Sequence, residues 1–569
     1  MNKKIRRLAF LICMSIVGSA FAAEPEVASP VDPVTTLSGS YAEMRRNHFH
    51  GGLDFRTGGQ VNWPIYSLKD GYISHISISS RSYGEMAIIV HPDGHSTLYA
   101  HLNCFVDSIE AIVRKHQYEQ QKYEVEVDFA PGEIPLKKGQ QFAWSGNTGS
   151  SGGPHLHFEL RDTEKNTQIN PFMYNHIFKF EDRRRPVIWG VKLSGIDGKG
   201  TVLGSKARKF STTRRNNKKT LNNGHISVWG EIGIAIKSND YMTGTGFTYS
   251  PRIMKLYIDS ALVSQVHIKD IKISDTRALN SFIDFAQQQT TGEFFMKFNK
   301  EKNNPLTIYD SIVGNGTFNF NEEREYKVKC EVFDDFGLKD EVCFSLFGEK
   351  RDLPPASAPS PDLIDCKKGG FFEKEDFLMY FPNNALYTDF EPNYTKRPAP
   401  SARYFSDIHT IGSKETPLHT MCDISIKIKN DTLKDKNKYV VATINPNGTV
   451  GRTIAANYVD GFMVGKTRLL GSYAIVTDNT KPHIGALHTK KLTANPRIVL
   501  KIYDGLSGIA SYNGYIDGQW VLFEYDAKTQ TVFCNLRELN IERNKQHEFK
   551  FVVKDKCGNE TVFSRNIFY

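Results

Sequence analysis

The chain has 569 residues, which is too many for one hydrophobic core, so several domains are expected. Hydrophobic residues make up 40% and aromatic residues 12%, a composition that excludes a largely disordered chain. The formal net charge of +9 is small for this length and gives no support to a nucleic-acid-binding function.

Residues 1–22 have the three parts of a secretion signal. A basic start is followed by an apolar run over residues 8–18 and by the small-residue site Ala20-Phe21-Ala22. We predict a signal peptide at 1–22, whose removal takes away four positive charges and leaves +5 on the mature chain. An uncleaved anchor is the alternative, but the run is short for a membrane span, and no other segment is apolar enough to cross a bilayer. The sequence therefore predicts export.

Residues 23–180 are predicted to form an arm and a domain of short alternating strands and glycine turns. Within it, polar periodicity predicts a helix from Phe105 to Gln121, followed by a strand from Tyr123 to Asp128. Three segments carry candidate chemistry: HGGLD at 50–54, LYAHL at 98–102 and GNTGSSGGPHLHFEL at 146–160. Each segment alone is weak evidence for a metal site, but the three together, in this order and behind a secretion signal, are strong evidence.

Strand alternation sorts the side chains of the last two segments. It predicts that a core-facing set consists of Leu98, Ala100, Leu102, Leu156, Phe158 and Leu160. The opposite, groove-facing set then consists of Tyr99, His101, His155, His157 and Glu159. His50 and Asp54 would be about 13 Å apart in an extended strand. Gly51 and Gly52 allow the chain to curl and bring the two together. Two imidazoles and a carboxylate suit a catalytic zinc ion.

These segments closely resemble the signature motifs of lysostaphin/LytM-type zinc metallopeptidases, peptidase family M23, over roughly residues 45–175. The resemblance implies a small antiparallel β-sheet groove and one Zn²⁺ per chain, bound by His50, Asp54 and His157. It also implies that His101 and His155 flank a metal-bound water as catalytic residues, one as general base and the other stabilising the oxyanion. The implied function is a secreted metalloendopeptidase that cleaves peptide cross-links or stem peptides of bacterial peptidoglycan.

Three further residues are weaker candidates for substrate contacts: Tyr99, Asn147 and His48. In a strand, His48 would share a face with His50, although a bystander role is the alternative. The long interval between His101 and His155 holds the predicted helix, and this insertion is predicted to wall the groove and set specificity.

An internal repeat divides the remaining chain. Two units predicted as immunoglobulin-like β-sandwiches, 181–350 and 481–569, share matched strand and turn segments. A Pro-rich linker at 351–365 and a third predicted β-sandwich at 366–480 lie between them. The fold class is therefore mainly β, with a groove-forming peptidase domain followed by about three sandwiches. A basic loop at 206–219 is either solvated or contacts an anionic wall or membrane surface.

Seven cysteines remain after the signal, and none forms a CxxC pair, so zinc–thiolate and redox motifs are not indicated. A hairpin centred on Phe336-Gly337 would place Cys330 directly opposite Cys343, which predicts a disulfide in an exported protein. Two separate buried thiols are the alternative.

Two other functions remain open at this stage. The chain could be a non-catalytic LytM-type regulator that activates other wall hydrolases, although five intact site positions argue against it. It could also be an envelope adhesion or scaffold protein that binds envelope protein partners through its sandwiches. No SH3-type or LysM-type wall-binding module is recognisable, which argues against a dedicated polyglycine-bridge cutter. The preferred target is a D-Ala–diaminopimelate cross-link, in the periplasm or cell envelope of a Gram-negative bacterium.

Overall fold

A computed structural model describes residues 27–569 except positions 217, 354, 356–359 and 491. The predicted signal peptide at 1–22 and part of the predicted linker lie outside the described residues. Strands make up 49% and helices 9% of the structure, which confirms the mainly β fold class. Among the described residues, no helix combines the length and apolar character needed to span a membrane.

Short strands dominate residues 27–180, together with one long helix. The strands are β1 (Leu37–Gly39), β2 (Leu53–Arg56), β3 (Pro64–Tyr66), β4 (Gly71–Ile78), β5 (Glu85–Val90), β6 (His95–Phe105), β7 (Val125–Asp128), β8 (Pro135–Leu136), β9 (Gln141–Ser145), β10 (His155–Asp162) and β11 (Thr167–Ile169). The helices are α1 (Asp107–Gln120), α2 (Asn175–Phe178) and a 3₁₀ turn at Pro171–Tyr174.

These strands form an antiparallel sheet in the order β1-β2-β10-β6-β5-β4-β7. The central strand β10 places His157 opposite Asp54 on one side and opposite Ala100 on the other. Its alternate residues Leu156, Phe158 and Leu160 are fully buried in the core, as predicted. The other face of β10 is therefore left to carry the polar side chains of the site.

Helix α1 begins and ends within two residues of the predicted bounds. Ile109 and Val113 bury one side of the helix. Arg114 and Tyr118, one helical turn apart, contact the C-terminal region: the Arg114 guanidinium donates to Glu524 at 2.9 Å, and the rings of Tyr118 and Trp520 lie 5.2 Å apart. The insertion thus docks another part of the chain against this domain.

The described part of residues 181–350 contains thirteen strands, twelve of which form one connected sheet. The strands are β12 (Val187–Val202), β13 (Ala207–Arg215), β14 (Lys218–Leu221), β15 (Ser227–Tyr241), β16 (Thr248–Tyr249), β17 (Ile253–Ile258), β18 (Ala261–His267), β19 (Asp270–Lys272), β20 (Met296–Lys297), β21 (Tyr309–Ile312), β22 (Thr317–Phe320), β23 (Glu325–Phe333) and β24 (Lys339–Gly348). Helical segments are α3 (Leu279–Phe282), α4 (Phe285–Thr291) and 3₁₀ turns at Ile273–Ala278 and Gly314–Gly316.

The strand order is β14-β13-β12-β15-β24-β23-β17-β18-β21. Because the long strand β15 pairs with both β12 and β24, the two layers of the predicted β-sandwich are joined into one sheet. Strand β19 leaves this sheet and pairs with β11 of the first domain. The buried side chains of the two regions accordingly belong to one continuous core.

Two smaller regions follow. The first contains β25 (Gly370–Lys374), β26 (Phe377–Phe381), β27 (Thr395–Arg397), β28 (Ile408–Ile411), β29 (Cys422–Lys427), β30 (Tyr439–Ile444), β31 (Val450–Ile454), β32 (Ala456–Val459), β33 (Phe462–Thr467), β34 (Gly471–Thr477) and a 3₁₀ turn at Lys436–Lys438. The second contains β35 (His483–His488), β36 (Arg497–Tyr503), β37 (Ile509–Ile516), β38 (Gln519–Val521), β39 (Glu524–Asp526), β40 (Thr531–Asn535), β41 (Gln546–Asp555), β42 (Glu560–Phe568) and a 3₁₀ turn at Leu536–Glu538. They form two five-stranded and two four-stranded sheets, respectively.

The predicted disulfide between Cys330 and Cys343 is not formed. The β23–β24 register places Cys330 opposite Val342 and Cys343 opposite Lys329, one residue away from the predicted pairing. Since neighbouring residues of a strand point to opposite faces, Cys330 is buried while Cys343 is exposed, and both thiols are free.

Candidate active site

Three side chains meet at one point above the centre of the sheet. The Nε2 atom of His50 lies 2.9 Å from the Oδ1 atom of Asp54 and 2.9 Å from the Nδ1 atom of His157. His157 Nδ1 is also 2.9 Å from Asp54 Oδ1, so the three atoms form a nearly equilateral triangle. All three residues are buried, with exposures of 5–6%.

Close packing of the HGGLD segment against β10 brings His50 next to Asp54. A Cβ atom on Gly52 would lie 2.0 Å from the Phe158 carbonyl oxygen, and one on Gly51 would lie 2.1 Å from the Gln168 amide nitrogen. The sequence prediction that the chain curls here is correct. The two glycines are needed for this close approach, since neither has a positive φ.

The remaining nitrogens of the two imidazoles are fixed by acceptors. His50 donates its Nδ1 proton to the Ser40 carbonyl oxygen at 2.7 Å. His157 donates its Nε2 proton to the Glu159 carboxylate at 3.0 Å. Because both acceptors require a proton on the outer nitrogen, His50 Nε2 and His157 Nδ1 direct their lone pairs towards Asp54.

His155 and His101 lie beside this triangle. His155 donates from Nδ1 to the Gly153 carbonyl at 2.8 Å, and its Nε2 atom lies 3.5 Å from Asp54 Oδ1. His101 donates from Nδ1 to the Thr148 carbonyl at 2.9 Å, and its ring centroid is 4.8 Å from that of His155. The structure therefore brings together all five residues predicted for the site.

The backbone of His101 departs from regular strand geometry. Its φ is +60°, a left-handed value that is uncommon for a residue with a Cβ atom. Its N–H donates to the Tyr83 carbonyl at 2.9 Å, which holds this conformation. Alternation along β6 is broken at this point, so His101 faces the site although Tyr99 faces the core.

Tyr99 is therefore a corrected prediction. Its side chain is fully buried against Phe142 and Phe158, and its hydroxyl accepts from the Leu68 N–H at 2.9 Å. Leu98 and Ala100 are buried on the other side of the strand. The face assignment for β6 was wrong for these three residues, because it assumed unbroken alternation up to His101.

The two other candidate substrate contacts stay predictions. His48 is exposed, and its carbonyl oxygen accepts from the Arg45 N–H at 3.0 Å. Asn147 lies in the glycine-rich loop, where its carbonyl oxygen accepts a hydrogen bond from Lys528 of the C-terminal region. This contact brings a residue 381 positions away to the loop beside the site.

Electrostatics separate the roles of the histidines. Burial lowers the pKa of His157, but its hydrogen bonds to Asp54 and Glu159 outweigh this and raise the pKa to about 9. Burial and the adjacent His157 and His155 lower the pKa of His101 to about 3. At neutral pH, His101 is thus uncharged, whereas His157 without a metal carries a second proton on Nδ1, which a bound metal ion would displace.

Sequence reasoning missed Glu159 as a functional residue. This carboxylate is fully buried and accepts hydrogen bonds from Tyr83 at 2.6 Å, Gln168 at 3.0 Å and Arg161 at 2.8 Å, besides the one from His157. Its place on the polar face of β10, two residues after His157, was the available signal. A second missed residue is Arg45, which donates to Asp54 at 2.8 Å.

The donor set fits zinc. Ligand atoms of a tetrahedral zinc site are about 3.4 Å apart, so small outward shifts of the three atoms suffice. Without an ion, two imidazole lone pairs and a carboxylate would face one another at 2.9 Å, which is unfavourable unless a proton or a cation intervenes. His50, Asp54 and His157 would bind the metal and leave its open side to His101 and His155.

Replacing Glu159 with glutamine is expected to weaken zinc binding by about 10- to 100-fold, because the neutral amide no longer polarises His157. Competition against a chromophoric chelator measures this affinity. The control is Glu164→Gln, which removes an exposed carboxylate in the turn between β10 and β11. Equal zinc affinities of the Glu159→Gln and wild-type proteins would contradict the role given to Glu159.

Separate parts of the chain resemble known proteins. A family model for the Zu5-like domain matches residues 362–478. The chain is 32% identical over 112 residues to the peptidoglycan DD-endopeptidase ShyB of Vibrio cholerae serotype O1, which covers 20% of each protein. It is 27% identical over 149 residues to an uncharacterized metalloprotease of Haemophilus influenzae, covering 25% of each. The matches thus span a quarter or less of these relatives.

Among solved structures, the catalytic domain of the antimicrobial peptidase lysostaphin from Staphylococcus simulans is 22% identical, with a TM-score of 0.18. That match covers 24% of this chain and 90% of the lysostaphin domain. A zinc-containing peptidase from Vibrio cholerae is 26% identical, with a TM-score of 0.18, over 25% of this chain and 37% of the other. The resemblance inferred from the motifs is confirmed, because the relatives that match this part of the chain are peptidases, among them a metalloprotease and a peptidoglycan DD-endopeptidase.

Proposed function

We propose that the mature chain is an exported zinc metalloendopeptidase that cleaves peptide cross-links or stem peptides of bacterial peptidoglycan. The observation that supports this most is the triangle of His50, Asp54 and His157 atoms, 2.9 Å apart, with His101 and His155 on one side of it. A site of this kind has three protein ligands and an open position, which is the arrangement of catalytic rather than structural zinc.

The chemistry follows from the two flanking histidines. A zinc ion held by His50, Asp54 and His157 would supply an electrophile for a peptide carbonyl and would lower the pKa of water towards neutral pH. His101 and His155 have their Nδ1 protons on the Thr148 and Gly153 carbonyls, so each directs Nε2 into the site. One accepts a proton from the attacking water and passes it to the leaving amine, and the other, when protonated, donates to the developing oxyanion.

We favour the D-Ala–diaminopimelate cross-link as the scissile bond and the periplasm of a Gram-negative bacterium as the location. The names of the relatives ShyA and ShyB of Vibrio cholerae, both peptidoglycan DD-endopeptidases, support this choice. A bond between D-configured centres demands a site that positions the substrate backbone. The glycine-rich loop with Asn147 is adjacent to the site, and we retain Asn147 and His48 as candidate contacts.

Two alternatives differ in what they require of the site. A non-catalytic regulator of other hydrolases has no need for ligand geometry, whereas here both outer imidazole nitrogens are bonded to acceptors that orient the lone pairs. An envelope adhesion or scaffold protein would act through the C-terminal β regions. The structure gives neither alternative a specific observation in its favour.

Digestion of purified peptidoglycan sacculi by the zinc-loaded protein is the test. The wild type is expected to release soluble muropeptides, and His50→Ala is expected to release none. If His50→Ala instead stimulates a partner hydrolase as well as the wild type does, while neither digests sacculi alone, the regulator alternative replaces the proposal.

A further inference from the structure

A second carboxylate cluster lies far from the histidine site, at the junction between the peptidase domain and the following sheet. Asp182, Asp240 and Asp334 each place one oxygen so that the three oxygens lie within 4.8 Å of one another. Asp182 lies in the segment leaving the peptidase domain, Asp240 in β15, and Asp334 at the start of the turn between β23 and β24. Three separate parts of the chain thus converge on one point.

Hydrogen bonds leave part of this cluster unsatisfied. Asp182 Oδ1 accepts from the N–H groups of Arg184 and Thr243, and Asp334 Oδ1 accepts from those of Phe336 and Leu338. Within the described part of the chain, Asp240 Oδ1 and Asp334 Oδ2 are buried without any hydrogen-bond partner. Their residues are 92% and 96% buried, which makes an uncompensated carboxylate costly.

Nearby cations do not neutralise the cluster. Arg252 pairs with Asp335 at 2.9 Å, and Arg184 donates to the Thr245 carbonyl at 2.8 Å. Burial and the neighbouring carboxylates raise the pKa of Asp240 to about 8 and that of Asp334 to about 6. Half-buried Asp182 and buried Asp240 and Asp334 therefore meet at one point, and within the described residues no cation pairs with the unbonded oxygens of Asp240 and Asp334.

The internal repeat supplies a built-in comparison. Aligning the two units places Asp478, Asp504 and Asp555 at the positions of Asp182, Asp240 and Asp334, and these also lie within 4.8 Å of one another. The turns match in detail, since Asp555 Oδ1 accepts from Cys557 and Asn559 as Asp334 Oδ1 does from its own turn. The motif is therefore part of the unit's architecture.

The two clusters differ at one position. Asn559 donates its side-chain amide to Asp555 Oδ2 at 2.7 Å, whereas the equivalent residue in the first unit is Leu338, which has no side-chain donor. In addition, Asp504 is only partly buried. Asp555 Oδ2 is thus bonded to an amide where Asp334 Oδ2 has no partner among the described residues, while Asp504 Oδ1 is buried without a partner, as Asp240 Oδ1 is.

We propose that Asp182, Asp240 and Asp334 form a calcium site that fixes the peptidase domain on the adjoining sheet. Oxygens on opposite sides of one Ca²⁺ are about 4.6–5.2 Å apart, so three oxygens that all lie within 4.8 Å of one another fit around one ion. Carboxylate oxygens are also the ligands that Ca²⁺ prefers. Water would complete the coordination. The residue after Asp334 contacts the peptidase domain directly, because Asn170 donates to Asp335 at 2.8 Å.

This site is independent of the peptidase chemistry, and its test uses neither activity nor substrate. The zinc-loaded full chain is freed of calcium, and its melting temperature and heat of binding are measured as Ca²⁺ is added. Wild type is expected to bind one Ca²⁺ at this cluster and to melt about 3 °C or more higher in 1 mM calcium.

The variants Asp240→Asn and Asp334→Asn are expected to fold, to melt in calcium-free buffer no lower than wild type, and to lose the calcium-dependent shift. Asp504→Asn is the matched control in the repeat and is expected to keep it. Absence of any calcium effect on wild type, an unchanged shift in Asp240→Asn, or an equal loss in Asp504→Asn would each overturn the proposal.

Discussion

Replacing His157 with alanine is expected to abolish stoichiometric zinc binding and to lower peptidase activity by at least about a thousandfold. His157 contributes one of three ligand atoms that lie 2.9 Å apart, and its removal leaves only His50 and Asp54. Two ligands do not hold zinc against buffer, so both the electrophile and the activated water are lost. Metal content by mass spectrometry and turnover of a cross-linked muropeptide measure the two effects together.

His116→Ala is the matched control, because it removes an imidazole of the same domain that lies in α1 and takes no part in the histidine site. It is expected to retain both zinc and activity. Chelation of the wild type should reproduce the His157→Ala phenotype, and added zinc should rescue the chelated wild type but not the variant. A His157→Ala protein that keeps one zinc per chain and full activity would show that the metal is bound elsewhere.

Alanine at His101 or at His155 is expected to give a different phenotype, in which zinc stays bound and kcat falls by about 10²- to 10⁴-fold. Neither residue belongs to the triangle, yet each orients Nε2 into the site through a backbone carbonyl. The loss should appear in kcat more than in KM, since proton transfer is affected rather than substrate binding.

The pH profile distinguishes these two histidines from residues that only support the fold. If they carry the proton, each single variant should change the shape of the kcat profile as well as its height. Loss of zinc together with activity in both variants would assign them to the metal instead. Full activity in either variant would remove that residue from the proposed proton path.

Much of the site is predictable from the sequence because its residues lie within three short motifs. Regular alternation along β10 correctly separates the core residues from His155, His157 and Glu159. The same rule fails along β6, since the left-handed backbone of His101 reverses the face on which the side chain lies. Nothing in the local sequence indicates that conformation, which is held by the Tyr83 carbonyl from the turn before β5.

Contacts between distant parts of the chain were beyond the reach of sequence patterns. The alignment of β23 with β24 differs by one residue from the predicted hairpin, and this is enough to place Cys330 and Cys343 on opposite faces. The insertion helix α1 was predicted, but its docking on Glu524 and Trp520 was not, because periodicity reveals an amphipathic face without revealing its partner.

Hydrolysis of a purified D-Ala–diaminopimelate cross-linked muropeptide dimer in ¹⁸O-labelled water, followed by mass spectrometry, tests the proposed function most directly. Addition of one water across the cross-link is expected to yield two monomers, with one ¹⁸O atom in the newly formed D-Ala carboxylate, and only when zinc is bound. An intact dimer after prolonged incubation with the zinc-loaded protein, or equal cleavage by His157→Ala, would contradict a zinc-dependent endopeptidase acting on this cross-link.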